Sequence, residues 1–402
     1  MKANFLFELK RILKRKKNRL AITVFLLLAV IFAIFFSQKT FQGERVNQEL
    51  LTQNNNYQIR TLRHVRAHHI PNGPVLTFYP KSIAINSRRV ADLKSHNWQK
   101  YARDSAAYFP AFTRWYQQGA AQNMSYPTNY GDTNNYPMGF VDSANYYYRY
   151  SASYYRAAAK SKSVNRHMLE EASSAGSTLN FLKSDAISVF FLLLIIIVCD
   201  QLVSDRKHRS IFLGQPLSLY RRTWSKTAAA LTSWLILSAI AIALVALVNG
   251  LRFGFSDWLI NHPLAHNGRF YPYFTQIQPA LELLQAIALL AILGLLISRL
   301  AILLNLILKN EFLTALALAI LVFFERIYWY PYCGIASDYS IYPFPYFQVG
   351  RLVTGLQSFM YAQNGLTFAK GMLVIACYVL ALEILIQIIL LATKSGYLRR
   401  KS

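Results

Sequence analysis

The stretch D-R-K-H-R-S-I-F-L-G-Q-P-L-S-L-Y-R-R-T-W-S-K, Asp205 to Lys226, is polar at both ends and lies between two long apolar runs. Six positive residues and one histidine flank a short apolar core, Ile211, Phe212 and Leu213, and Pro216 follows closely. The pattern reads as a short amphipathic helix, a proline stop, and a basic re-entry into the next apolar run through Arg221, Arg222 and Lys226. An element of this kind suits docking onto a soluble partner.

Outward from it the chain is hydrophobic. Of 402 residues 54% are hydrophobic and 15% charged, a balance that points to an integral membrane protein of all-α class. Six runs reach about 20 residues, enough to cross a hydrocarbon core about 30 Å thick at about 1.5 Å per residue. They cover 20–37, 185–204, 227–249, 280–304, 312–330 and 372–392. An even number of spans puts both termini on one side.

Lysine and arginine near the ends of spans set orientation. Lys10, Arg11, Lys14, Arg15, Lys16, Lys17 and Arg19 precede the first span, and the segment 205–226 is basic. Arg299 and Lys309 lie near the turn 305–311, and Arg399, Arg400 and Lys401 fall in the tail 393–402. These four places are expected on the cytoplasmic side. The segments 38–184, 250–279 and 331–371 then face outward, and the first of them is long enough to escape the charge rule. Residues 1–19 carry Phe5, Leu6, Leu9, Ile12 and Leu13 at helical spacing among cations, as in a helix lying in the membrane interface. The first span is read as a retained anchor, because Phe35, Phe36, Ser37 and Gln38 offer no small-x-small cleavage site.

The segment 38–184 is long enough for a small domain, and its periodicity predicts helices over Arg88 to Gln118 and Ser143 to Phe181. Tyr146, Tyr147, Tyr148, Tyr150, Tyr154 and Tyr155 crowd one run there, interleaved with Arg149 and Arg156. Such a run is either a surface for lipid headgroups or a polymeric anion, or a tyrosine-packed core with a basic rim, the second being the preferred reading. His64 and His68 would share a helix face at a spacing compatible with a metal ion, but no acid sits beside them and Arg63 and Arg66 oppose a cation. A surface histidine pair and no metal site is expected. Cys199, Cys333 and Cys377 are too few and scattered for a disulfide framework. The segment 331–371 mixes proline, aromatics and glycine, and can lie against the outer leaflet or dip into it where protein shields its backbone.

Inside the apolar runs, Glu383 stands near the middle of the last span with Gln387 one turn later. An ionisable group at that depth is costly and is a candidate for ion coupling or substrate contact, the bland alternative being a hydrogen bond to a neighbouring helix. Glu325 and Arg326 either compensate each other or pair with other helices. No phosphate-cradling G-x-x-x-x-G-K-[ST] motif, G-x-S-x-G elbow, H-E-x-x-H pair or dinucleotide fingerprint occurs. The chain is therefore expected to hydrolyse no ATP itself, to hold no cofactor and to be no enzyme. Its net charge of +25 is explained by topology and outer segments, so no nucleic-acid partner is expected.

Asp205, Ser210, Ile211, Phe212, Leu213, Pro216, Ser218, Arg221, Arg222 and Lys226 stand where permeases of the ABC type-2 exporter family, similar to the G-subfamily transporters, carry their segment after span two. The chain resembles that family. Aspartate replaces the usual glutamate at 205, and Arg209 replaces a glycine. L-G-L-L-I-S-R-L-A-I-L-L-N-L-I-L-K-N at 293–310 resembles its fourth span and following turn. Y-P-F-P-Y-F-Q-V-G-R-L-V-T-G at 342–355, with the later K-G-M-L-V-I, is similar to its last outer region.

The resemblance implies a plasma-membrane permease, bacterial, working with a second permease copy or paralogue and with a cytosolic ABC ATPase subunit that binds ATP and Mg. Residues 205–226 would be the coupling segment, with Ile211 to Pro216 making the docking contact and Arg221, Arg222 and Lys226 anchoring it to the inner leaflet lipids. The cargo would be amphipathic or hydrophobic: a peptide, an antibiotic or a lipid-linked molecule. The competing class is a membrane receptor or scaffold whose basic, tyrosine-rich outer domain binds an envelope polymer or peptide.

Overall fold

The structure is a computed structural model, and it describes residues 2–37, 46–117, 140–161, 163–207, 218–268, 272–328, 338–361 and 363–399. The chain is mostly helical, and among the described residues four helices are long and apolar enough to cross a membrane. These are Lys16–Phe36, Leu219–Phe253, Pro279–Leu308 and Phe368–Ala392. A fifth crossing is available if a bent pair, Arg166–Lys183 with Ile187–Val203, counts as one span.

Helix α1 (Lys2–Lys14) leads into α2 (Lys16–Ile31), which continues as a π-helical turn over Phe32–Phe36. After the inserted domain come α8 (Ser174–Lys183) and α9 (Ile187–Val198), which meet at 61°. The expected span 185–204 is thus a short apolar helix with a break on each side. Cys199 and Asp200 form a turn, and α10 (Gln201–Lys207) follows. Helix α11 (Leu219–Phe253) runs well past the expected 227–249 at both ends, and α12 (Pro279–Leu308) past 280–304. Helix α13 (Glu311–Tyr328) carries Glu311, Glu325 and Arg326 within 18 residues, and these three charges set it apart from the four candidate spans.

Helix α12 is central, with 61% of its most apolar window buried, against 11% for the last helix, α16 (Phe368–Arg399). It approaches α11 closely because Gly294 has no side chain: a Cβ there would stand 2.5 Å from the ring of the fully buried Trp234. Trp234 reaches the other way and donates its Nε1–H to the carbonyl of Phe190 on α9 at 2.7 Å.

The only strands among the described residues form an antiparallel hairpin between α11 and α12. Strands β1 (His262–His266) and β2 (Tyr273–Ile277) pair with His262 opposite Ile277. The segment 338–361 consists of short turns, α14 (Val349–Val353) and α15 (Leu356–Met360), largely buried. It is packed backbone to backbone, since a Cβ on Gly350 would lie 2.3 Å from the main chain of Leu182. Gly355 takes a left-handed φ of 74°, with Ala265 of β1 against it.

The inserted domain begins with four helices: α3 (Gln48–Ala67), α4 (Gly73–Lys94), α5 (Trp98–Gln117) and α6 (Phe140–Ala158). Each packs on the next. The short α7 (Arg166–Leu169) then returns the chain to α8. The helix expected over Arg88 to Gln118 is two helices. Ser95 turns its hydroxyl back to the carbonyl of Ala91 at 3.1 Å, His96 takes φ of 53°, and Asn97 accepts the amide of Lys100 at 3.1 Å to cap α5. The core is aromatic: Phe109 packs on Tyr147, Tyr148 and Tyr155, and all six tyrosines of the run are buried. The run therefore presents no surface, in agreement with the packed-core reading.

Candidate functional site

The apolar core of the polar segment, Ser210, Ile211, Phe212, Leu213 and Pro216, lies outside the described residues. Its two ends are described. Asp205 lies in the last turn of α10, and α11 starts after Ser218, whose hydroxyl accepts the amide of Arg221 at 3.4 Å. Both ends meet α1, whose buried face mixes polar and apolar groups: Asn4, Glu8 and Ile12 recur every fourth residue and turn inward, while Leu6, Phe7 and Leu13 stay exposed.

Five charged side chains interlock there. Lys226 Nζ contacts Glu8 Oε1 at 2.8 Å and Asp205 Oδ1 at 3.0 Å. Arg11 reaches Glu8 at 2.8 Å and Asp205 at 3.0 Å, and Arg222 reaches Asp205 Oδ2 at 2.7 Å. The Lys226 side chain is wholly buried and donates also to the carbonyl of Gln201 at 3.3 Å. Burial alone would raise the Asp205 carboxyl, but Lys226, Arg11 and Arg222 hold it below the ordinary carboxylate value. Nearby, Arg15 and Lys17 share Asp200 at 2.6 and 2.7 Å.

This corrects the expected lipid anchor. Arg222 and Lys226 point into protein and are taken by Asp205 and Glu8; of the three cations only Arg221 is exposed. Glu8 and Arg11 were missed as site residues, because their partners lie nearly two hundred or more positions away.

The opposite face of the same two turns of α11 carries a second cluster. Tyr220, Trp224 and Thr227 follow one another at helical spacing and face α12 and α16. Glu383 of α16 contacts Arg299 of α12 at 2.5 Å and accepts the indole N–H of Trp224 at 3.1 Å. Arg299 lies under the Trp224 ring, 4.4 Å from its centroid, and donates to Thr227 at 3.3 Å. Gln387 donates to the hydroxyl of Tyr220 at 3.4 Å. Glu383 therefore does more than hydrogen-bond a neighbour: it is the counter-charge of a buried guanidinium. Arg299, read from the sequence as a charge near a turn, is fully buried nine residues before the end of α12.

A third cluster joins the inserted domain to α12. Glu282 Oε2 lies 3.6 Å from Nδ1 of His262, both side chains are buried, and neither makes a hydrogen bond. Lys183 stands beside them and reaches Glu171 at 4.0 Å, and Tyr150 donates to Glu171. Burial, with Lys183 adding, lowers His262 to about 3, so the imidazole is neutral. Burial and Glu171 push the Tyr150 and Tyr154 phenols well above their ordinary value. Nothing in the sequence marked this set, since its members come from four separate elements and the turn at Glu171.

The other candidates fall elsewhere. Glu325 accepts from Gln357 Nε2 at 2.9 Å, so it pairs with the segment before α16; the Arg326 side chain lies outside the described residues. His64 and His68 stack at 4.3 Å between centroids on an exposed face. Among the described residues no group of three histidine, cysteine or acidic side chains is placed to hold a metal ion. Comparisons of this chain with known protein families, with characterised proteins and with solved structures found no match.

Proposed function

We propose that this chain is the membrane-spanning permease subunit of an ATP-driven exporter for an amphipathic or hydrophobic cargo, such as a peptide, an antibiotic or a lipid-linked molecule. On this reading it crosses a bacterial plasma membrane six times with both termini in the cytoplasm, α9 together with the start of α10 supplying span two and α13 span five. A separate cytosolic ATPase holds ATP and Mg and docks on the coupling segment 205–226 through Ile211 to Pro216. A second permease copy or paralogue completes the path.

One observation carries the proposal. The first turns of α11, where the polar segment re-enters the bundle, are bonded on one face to α1 through Lys226 and on the other to α16 through Trp224 and Glu383. A displacement of the segment is thereby delivered to helices on both sides at once. A docked ATPase biases the bundle only if it binds the two states of the segment differently, which is what closure around ATP supplies. The receptor reading loses its tyrosine surface, because those rings are interior.

The test is co-purification in mild detergent with a soluble ATPase encoded beside the chain, followed by Phe212→Ala and Pro216→Ala. Both variants are expected to insert normally and to retain ATP hydrolysis in the complex while losing transport. Unchanged transport in both removes the docking assignment.

A further inference from the structure

Between Glu49 and Asp92 the chain has no acidic residue, yet it carries six lysines and arginines and three histidines. These residues fold into one antiparallel hairpin of α3 and α4. Two of the six are accounted for: Arg88 pairs with Asp104 at 3.2 Å, and Arg89 is buried under the Tyr108 ring with its N–H groups on Ser105, Tyr101 and Asn86. The other four, Arg60, Arg63, Arg66 and Lys81, are exposed, and no carboxylate among the described residues pairs with them.

Three of these four share one ridge. Arg60, Arg63 and Arg66 follow a ridge of α3 at three-residue steps, each about 4.5 Å along the axis. The hydrogen bond from Ser82 to Gln58, 2.8 Å long, sets the register of the hairpin and brings Lys81 level with Arg60. His64, His68 and His69 are exposed among them, and His69 holds φ of 52° at the hairpin tip. Like charges so spaced repel one another, and no carboxylate among the described residues pairs with them to offset the repulsion. By contrast, the exposed Lys100 and Arg103 on α5 have Asp92 and Asp104 on the neighbouring turns.

We propose that this hairpin tip is a binding surface for a linear, phosphate-bearing polyanion. Guanidinium groups pair with phosphate through two parallel N–H bonds, and a row of them matches a repeating anion better than a single one. A bilayer is the poorer fit. The apolar face of α3, with Leu51, Leu62 and Val65, is already buried against α4, and the apolar side chains left exposed on the hairpin, among them Tyr57, Ile70 and Leu76, are single residues and no continuous face to insert. The tip also lies about 30 Å along α3 from Val46, the point where Arg166 and Glu170 tie the domain to the bundle end. The surface is independent of whether the chain transports anything.

The test uses the full chain in nanodiscs of uncharged lipid, with labelled long-chain inorganic polyphosphate as probe and fluorescence anisotropy as readout. R60E/R63E/R66E is expected to weaken binding at least tenfold and to lower the slope of log affinity against log salt by about 2, at about 0.7 per lost contact. R60K/R63K/R66K should stay within threefold of the parent. K94E/K100E/R103E makes the same change in net charge on other exposed positions of the domain and is expected to bind normally. R60Q/R63Q/R66Q serves if the reversed chain fails to fold by circular dichroism. The proposal is overturned if the parent does not bind, if the control variant loses as much as the tip variant, or if the tip residues govern binding to phosphatidylglycerol vesicles but not to the polymer.

Discussion

Oδ1 of Asp205 and Nζ of Lys226 lie 3.0 Å apart, so the two ends of the polar segment are tied to each other as well as to α1. Lys226 is the wholly buried member, and Glu8 is its second counter-charge. Removing one partner of such a pair strands a charge in the interior, which costs about 3–5 kcal/mol. Lys226→Ala is expected to lose stability on that scale in detergent melts. Combining Lys226→Met with Glu8→Gln should cost clearly less than the sum of the two single changes, and strict additivity would show that the pair is not coupled.

Arg299 and Glu383 behave as a second unit. Glu383→Gln leaves a buried guanidinium with only Thr227 and the Trp224 ring, and is expected to destabilise the chain by about 3 kcal/mol or more. Arg299→Met alone should be similarly harmful, while Arg299→Met with Glu383→Leu restores much of the melting temperature. If the double change melts lower than either single one, the contact contributes nothing specific.

His262 makes the stability of the domain junction depend on acid. The folded imidazole titrates at about 3, against 6.5 for an exposed one. The unfolded chain therefore takes up the proton first. The contribution from this residue is complete above pH 6.5 and is lost progressively as pH falls from 6.5 towards 3. His262→Gln should melt with a shallower dependence on pH across that window than the parent chain. Parallel curves would mean that Glu282, Lys183 and Tyr154, which surround the ring, already compensate the proton.

Glycine substitutions separate close packing from free space. Alanine at Gly350 drives a Cβ to 2.3 Å from the main chain of Leu182, which cannot rotate away, and should cost about 1–3 kcal/mol. Alanine at Gly73, where nothing stands within 4 Å, should leave the melting temperature within a degree or two. Equal effects at the two positions would contradict the backbone contact between α14 and α8.

The long apolar helices were legible because hydropathy averaged over about 20 residues detects a helix that is apolar all round. The same average blurs what interrupts it. It passed over Ser184, Asp185 and Ala186, where α8 meets α9 at an angle, and it gave α13 the same weight as its neighbours despite Glu325 and Arg326. The hairpin at His262–His266 and Tyr273–Ile277 is five residues per strand and left no periodic signal. Among site residues, Glu383 was readable, since a carboxylate in an apolar run needs a partner. Arg299 and Lys226 were not, because near the ends of runs a buried cation and a headgroup cation look alike until the partner is placed, and here the partners are 84 and 218 residues away. Arg209, where the resembled family carries glycine, lies outside the described residues.

The pairing of Lys226 with Glu8 has a consequence in time. A ribosome completes α1 more than two hundred residues before it reaches Lys226. An ammonium cannot settle alone in an apolar bundle. Lys226 brings Asp205 with it from its own segment, and its other counter-charge, Glu8, has been made long before, so the first helix is already present to receive the start of α11.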